Sequence, residues 1–189
     1  MKNYEYIVAS LPELVRDFGQ HEMDFKSLAV SLKAQCPESD AHLVDWLISG
    51  LDGRHCSRLF YKRAASSDNR FIREFFDFDK KLREAKVAFL EGGSRGNGYE
   101  AVPEFERVFT VPNLIEREMK MDSLLWDKAD ELTLFSLFDI DVVLAFLVKA
   151  HIVCRWSSLD TDAGKQLFSK LVDEVRGTFS GVDYKPDND

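Results

Sequence analysis

His55-Cys56 and His151 with Cys154 are the places where imidazole and thiol stand close together in this 189-residue chain. Neutral imidazole and thiolate are the ligands of structural zinc, and a Cys/His pair is also the core of a nucleophilic site. The second couple, three residues apart, would put both side chains on one side of a helix. Zinc needs three or four such ligands, and sequence spacing does not bring residues 55–56 to residues 151–154. A Cys/His nucleophile would carry a recognisable local signature, and neither couple has one. A cysteine on an apolar helix commonly serves as a small hydrophobe. The expectation is no metal, no cofactor and no catalytic residue.

Two other patterns invite chemistry. Gly93 and Gly98 have the spacing of a phosphate-binding loop, but Tyr99 and Glu100 follow where Lys and Ser or Thr are required. The glycines also follow a helical pattern instead of a strand, so this segment reads as a flexible hinge. Carboxylates are plentiful but interleaved with Lys and Arg, as on solvated helix faces. Asp139 and Asp141 precede an apolar run, where capping and the helix dipole account for them. Trp46, Trp126 and Trp156 read as core or interface anchors.

The elements that must hold these residues are helical. Phe71, Phe75, Phe78, Leu82, Ala85 and Phe89 recur at steps of 4, 3, 4, 3, 4, one face of a long helix. Ser67 or Asp68 would cap it and Glu91 would end it. Between the apolar positions stand charges, among them Asp77 and Lys81, and Lys80 and Glu84, at the spacing of helical ion pairs. Upstream, Tyr4 to Ser10 reads as short and extended, and Pro12 opens a brief helix that stops at Gly19. Asp24 caps a helix that Pro37 ends. Ser39 or Asp40 caps the next, which closes at Asp52-Gly53. A short helix covers Leu59 to Ala65.

Past the glycines, residues 92–111 read as an irregular loop. Helices follow from Asn113 to Trp126 and from Asp130 to Leu137. Asp139 caps an apolar, central helix to Trp156, and Asp160 caps a last helix with Leu167, Leu171, Val175 and Phe179 inward. The fold class is all-α, an irregular bundle of about seven helices. Residues 1–182 form one helical domain, with two lobes, 1–91 and 112–182, conceivable around the loop; residues 183–189 form a disordered tail.

Charge sets limits on partners. The net charge is −8, which argues against a general nucleic-acid binder. Residues 54–95 nevertheless carry 11 basic and 6 acidic side chains, between acidic flanks. Solvated helix faces would explain that sorting; so would a basic patch meeting an acidic partner or an anionic membrane surface. Arg73, Lys80, Lys81, Arg83 and Lys86 are its candidate contact residues. Three cysteines give no disulfide framework. Met1 to Tyr6 lacks the pattern of a signal peptide, and the apolar run Ile140 to Val148 is interrupted by Asp141 and ends at Lys149. A cytoplasmic, soluble protein is expected.

Three segments carry a resemblance. Tyr4-Glu-Tyr-Ile-Val-Ala-Ser-Leu-Pro-Glu-Leu14, Phe71-Ile-Arg-Glu-Phe-Phe-Asp-Phe-Asp-Lys-Lys-Leu-Arg83 and the stretch from Leu137 to Gly164 resemble a small uncharacterised bacterial family encoded beside V-type ATPase subunits. That family is similar to the C-type subunit of V/A-type ATPases, the d-type subunit of eukaryotes. The C-type subunit is an all-helical, non-enzymatic funnel that seats the central axle on the membrane rotor ring. The resemblance implies a non-catalytic subunit in ATP-driven proton or sodium transport. Its partners would be the central stalk and rotor ring, and its place peripheral to the inner membrane through the complex. A chain shorter than three lobes would supply part of that funnel. The alternative is a helical adaptor or regulatory protein unrelated to the ATPase.

Overall fold

The structure, a computed structural model, describes residues 4–17, 23–53, 56–91, 102–159 and 161–179. These form nine α-helices with no strand among them: α1 (Tyr4–Ala9), α2 (Phe25–Gln35), α3 (Glu38–Leu51), α4 (Arg58–Ala65), α5 (Arg70–Leu90), α6 (Pro103–Phe109), α7 (Leu114–Thr133), α8 (Ile140–Ser157) and α9 (Thr161–Phe179). The fold is all-α. No helix of the described residues is long and apolar enough to cross a membrane.

The main core is built around α8. Val143 to Val148, Ala150, Ile152 and Val153 are all buried, because the helix is apolar on nearly every side and must be surrounded. Helices α1, α2, α3 and α7 surround it. Asp139 caps α8 by accepting from the Val142 amide at 3.2 Å, and Asp24 caps α2 by accepting from the Lys26 amide at 3.0 Å. Both caps match the sequence reading. A smaller core lies between the second half of α5, α6 and α7, formed by Leu82, Ala85, Phe105, Val108, Phe109, Met121 and Leu124. The main core takes side chains from both sides of the glycine segment, so helices α1 to α5 pack together with α7 and α8.

The long helix runs where its seam predicts, and the Asp77–Lys81 and Lys80–Glu84 pairs form at 2.9 and 3.5 Å. Its buried face is wider than the seam. Ile72, Phe76 and Asp79 are buried too, since α4 and α3 cover a flank that the core-facing stripe alone does not reveal. Phe89, at the far end, stacks on Phe109 with 5.3 Å between centroids and stays partly exposed.

Several expectations are corrected. Tyr4 to Ala9 is a helix, not extended: Tyr4 and Ile7 bury together at helical spacing. Residues 11–16 have no regular structure, and Leu11 and Leu14 pack on the core as a strap; Gly19 lies outside the described residues. Neither Ser39 nor Asp40 caps α3. Pro37 holds that position, and Asp40 turns inward to accept the Tyr4 hydroxyl at 2.5 Å. Asn69, not Ser67 or Asp68, caps α5 through Oδ1, 2.8 Å from the Ile72 amide.

Within 92–111, Pro103 begins α6, in keeping with proline's fit to a first helical turn. The helices expected from Asn113 and Asp130 are one, α7, since Leu124, Ala129 and Leu132 keep a single buried face throughout. The largest departure is α9. Leu167, Leu171 and Val175 are 60%, 50% and 55% exposed, so its apolar stripe does not face the core. Asp160 lies outside the described residues, as do the glycines at 92–98.

Candidate functional site

Helix α5 presents two chemically different flanks, and the five basic candidates divide between them. Lys80 and Lys81 lie on the outer side in pairs with Glu84 and Asp77. Arg73 folds back, donating from Nη1 to the Ser67 and Asp68 carbonyls at 2.6 and 3.0 Å, which closes the α4–α5 turn. Lys86 reaches α7, 2.6 Å from Glu118. Arg83 turns to the opposite flank. The five therefore do not share one surface: Lys80 and Lys81 remain as an outward basic pair, and the others hold the fold together.

The inner flank is where charge is concentrated. Asp79 is 5% exposed, and a single oxygen, Oδ2, accepts both the Tyr61 hydroxyl and the Arg83 Nε at 2.8 Å each. A matching cluster stands on α7 and α8. Asp122, also 5% exposed, accepts the Trp156 indole N–H at 2.6 Å on Oδ2, the oxygen that also takes Arg155. Each buried carboxylate is thus held by one arginine and one aromatic donor. Burial raises the Asp122 carboxyl, against the pull of Arg155 and the two hydrogen bonds. Burial, then the Asp79 charge, raises the Tyr61 phenol.

Between the two clusters is a cavity of about 80 Å³. Gly50 and Leu51 of α3 and Phe75 and Phe76 of α5 form one side. Leu125 of α7 and Val148 and Ile152 of α8 form the other, with Asp79, Arg83, Asp122, His151 and Arg155 supplying its polar atoms. Gly50 is dictated by the approach of helices: a Cβ there would lie 2.3 Å from the Phe76 ring and 2.7 Å from Phe60. Those two rings meet edge to face at 4.9 Å. Gly53, with φ of 71°, ends α3 in the left-handed conformation that glycine tolerates best. His151 meets the edge of Phe25, 5.1 Å between centroids. Burial and then the Arg155 charge push its imidazole below the ordinary range, so it is neutral at pH 7.

The two thiols of the His/Cys couples bond different backbone carbonyls. Cys56 donates to the Gly50 carbonyl at 3.1 Å and Cys154 to the Met23 carbonyl at 3.4 Å; His55 lies outside the described residues. Among the described residues, no three His, Cys, Asp or Glu side chains are placed to hold a metal ion.

Over residues 96–178 the chain is similar to a family described as a protein of unknown function (DUF2764). The similarity covers somewhat less than half of the chain. No curated protein and no solved structure matches it. The matched segment runs across α6, α7 and α8 and nearly all of α9, so it contributes Asp122, Leu125, Val148, His151, Ile152 and Arg155 to the cavity. Tyr61, Asp79 and Arg83 come from the other part of the chain.

Sequence reasoning placed Asp79 among solvated charges and left Asp122 unremarked. A signal existed for both. Asp79 stands four residues after Phe75 and three before Leu82, and Asp122 three before Leu125, each on the buried stripe of its own helix. A carboxylate on an apolar stripe is costly without a partner, and each has an arginine within reach.

Proposed function

We propose that this protein is a non-catalytic assembly protein, and specifically a component of a bacterial V-type ATPase similar to its C-type subunit, coupling the central stalk to the rotor ring. The observation that carries the assembly reading is the apolar surface left outside the two cores. Leu167, Phe168 and Leu171 are exposed along α9, and Leu134, Phe135, Leu137 and Phe138 at the α7–α8 connection, Phe135 at 91%. Contiguous exposed apolar side chains mark interaction sites. The outward pair Lys80 and Lys81 offers a separate basic contact on α5. The ATPase itself rests on the resemblance of the opening, α5 and α8 segments. A coupler working through helix faces needs no cofactor and no reactive group.

Native purification of the full chain tests this directly. Co-elution with membrane ATPase subunits is the expected result; a lone species with no such partner overturns the ATPase reading. Lys80→Glu with Lys81→Glu should weaken that assembly while the isolated protein keeps its helicity and melting temperature. Arg83 is left out of that variant, because a glutamate there would face the buried Asp79.

A further inference from the structure

The two arginine clusters are hard to account for by stability alone. Burying a carboxylate is costly even with a cation beside it, and the arginine side chains themselves stay 44% and 42% exposed while the aspartates are buried. Such burial happens twice, on opposite sides of one cavity, and in both cases the aspartate fixes its arginine through a single oxygen. Arg83 reaches Asp79 through Nε, and Arg155 reaches Asp122 through Nη2, which also stands 3.9 Å from Glu118. A guanidinium has five N–H groups. Most donors of both arginines are therefore not used by a carboxylate among the described residues. The aspartates, by contrast, are committed: each Oδ2 already accepts two donors.

We propose that the cavity between α3, α5, α7 and α8 binds a small carboxylate, with Arg83 and Arg155 taking its oxygens and the rings of Phe75 and Phe76 its hydrocarbon part. Planar, fork-like donors suit a carboxylate better than a point charge does. A volume of about 80 Å³ suits an anion with a short hydrocarbon stub. The mixture of largely apolar walls with a few convergent polar groups is that of a small-molecule site. His151 lines the same cavity as a neutral ring beside Arg155, so an anion there favours its protonated form. It is therefore a built-in reporter.

The test is a titration of the full-length protein with sodium propionate, sodium phosphate and sodium chloride at matched ionic strength, following the His151 ring signals by NMR. His151→Gln identifies those signals. A saturable shift with propionate, together with a rise in the pH at which His151 titrates, is expected; chloride should give neither. Arg83→Lys and Arg155→Lys keep the charge against each aspartate but lose the fork, and each should weaken propionate binding about tenfold. A response to phosphate but not propionate overturns the carboxylate assignment. No saturable response, or an equal one with chloride, means the cavity holds only water and overturns the proposal. Should either lysine variant fail to fold, the unmodified protein's titration decides alone.

Discussion

Helices α8 and α9 follow one another in the chain and are almost equal in length, 18 and 19 residues, yet they meet opposite fates. Along α8 every side chain from Val143 to Val148 is buried. Along α9 every described side chain between residues 164 and 177 is exposed, apart from a half-buried Val172. A helix apolar on all sides has one stable destination, the middle of its own fold. An amphipathic helix has a choice: its stripe defines a face that wants covering but does not say which chain covers it. The sequence pattern of α9 is a sound helix signal and an incomplete burial signal.

The contrast can be broken most directly by removing one leucine from each helix. Leu147→Ala empties space at a fully buried position and should cost about 2–5 kcal/mol, read as a large drop in melting temperature. Leu171→Ala, at 50% exposure, should change stability by less than about 0.5 kcal/mol. Equal losses would mean that α9 is held in the fold as tightly as α8.

The glycines sharpen the same point at smaller scale. Gly50→Ala drives a methyl into the Phe76 and Phe60 rings and should cost about 1–3 kcal/mol, the usual penalty of overpacking. Gly164→Ala on α9 meets nothing within 4 Å. It should instead raise helicity, with a gain of up to about 1 kcal/mol for the helix, measurable by circular dichroism.

A third test reads the packed side of α8 through pH. Because burial and Arg155 depress the folded-state value of His151 below 6.5, the unfolded chain takes up the proton first. Stability is full above pH 6.5 and falls as pH drops from there toward the folded-state value. His151→Gln should flatten that slope in denaturant titrations between pH 7 and 5. Asp122 and Asp141, both raised by burial, act in the opposite sense at lower pH and remain in the variant. The smallest effect belongs to the outer face: breaking the exposed Lys80–Glu84 pair with Lys80→Ala should cost no more than about 0.5 kcal/mol.

The comparison also explains what was legible beforehand. Caps at Asp24 and Asp139, the reach of α5 and the central place of α8 follow from rules spanning a few residues, and those rules held. The cap of α5 slipped to Asn69 because three good capping residues, Ser67, Asp68 and Asn69, stand in a row. Helix α6 was hidden because Pro103 both breaks a preceding segment and starts a new one. The cavity was harder to see. It depends on Asp79 and Arg83 of α5, Asp122 of α7 and Arg155 of α8 lining one space, and no local pattern encodes which arginine finds which aspartate. Asp79 and Asp122 could only have been flagged as carboxylates on apolar stripes.

Asn69 does more than begin α5. While its Oδ1 caps that helix, its Nδ2 donates to Asp141 Oδ1 at 2.7 Å in the first turn of α8, so a single amide sets where two long helices start relative to each other. An asparagine is also a slow chemical clock, since deamidation turns it into an acid. Aspartate at 69 would still cap α5, but it would set a second carboxylate against Asp141, and one of the two would have to hold a proton. Losing that Nδ2 donor would loosen the register between α5 and α8.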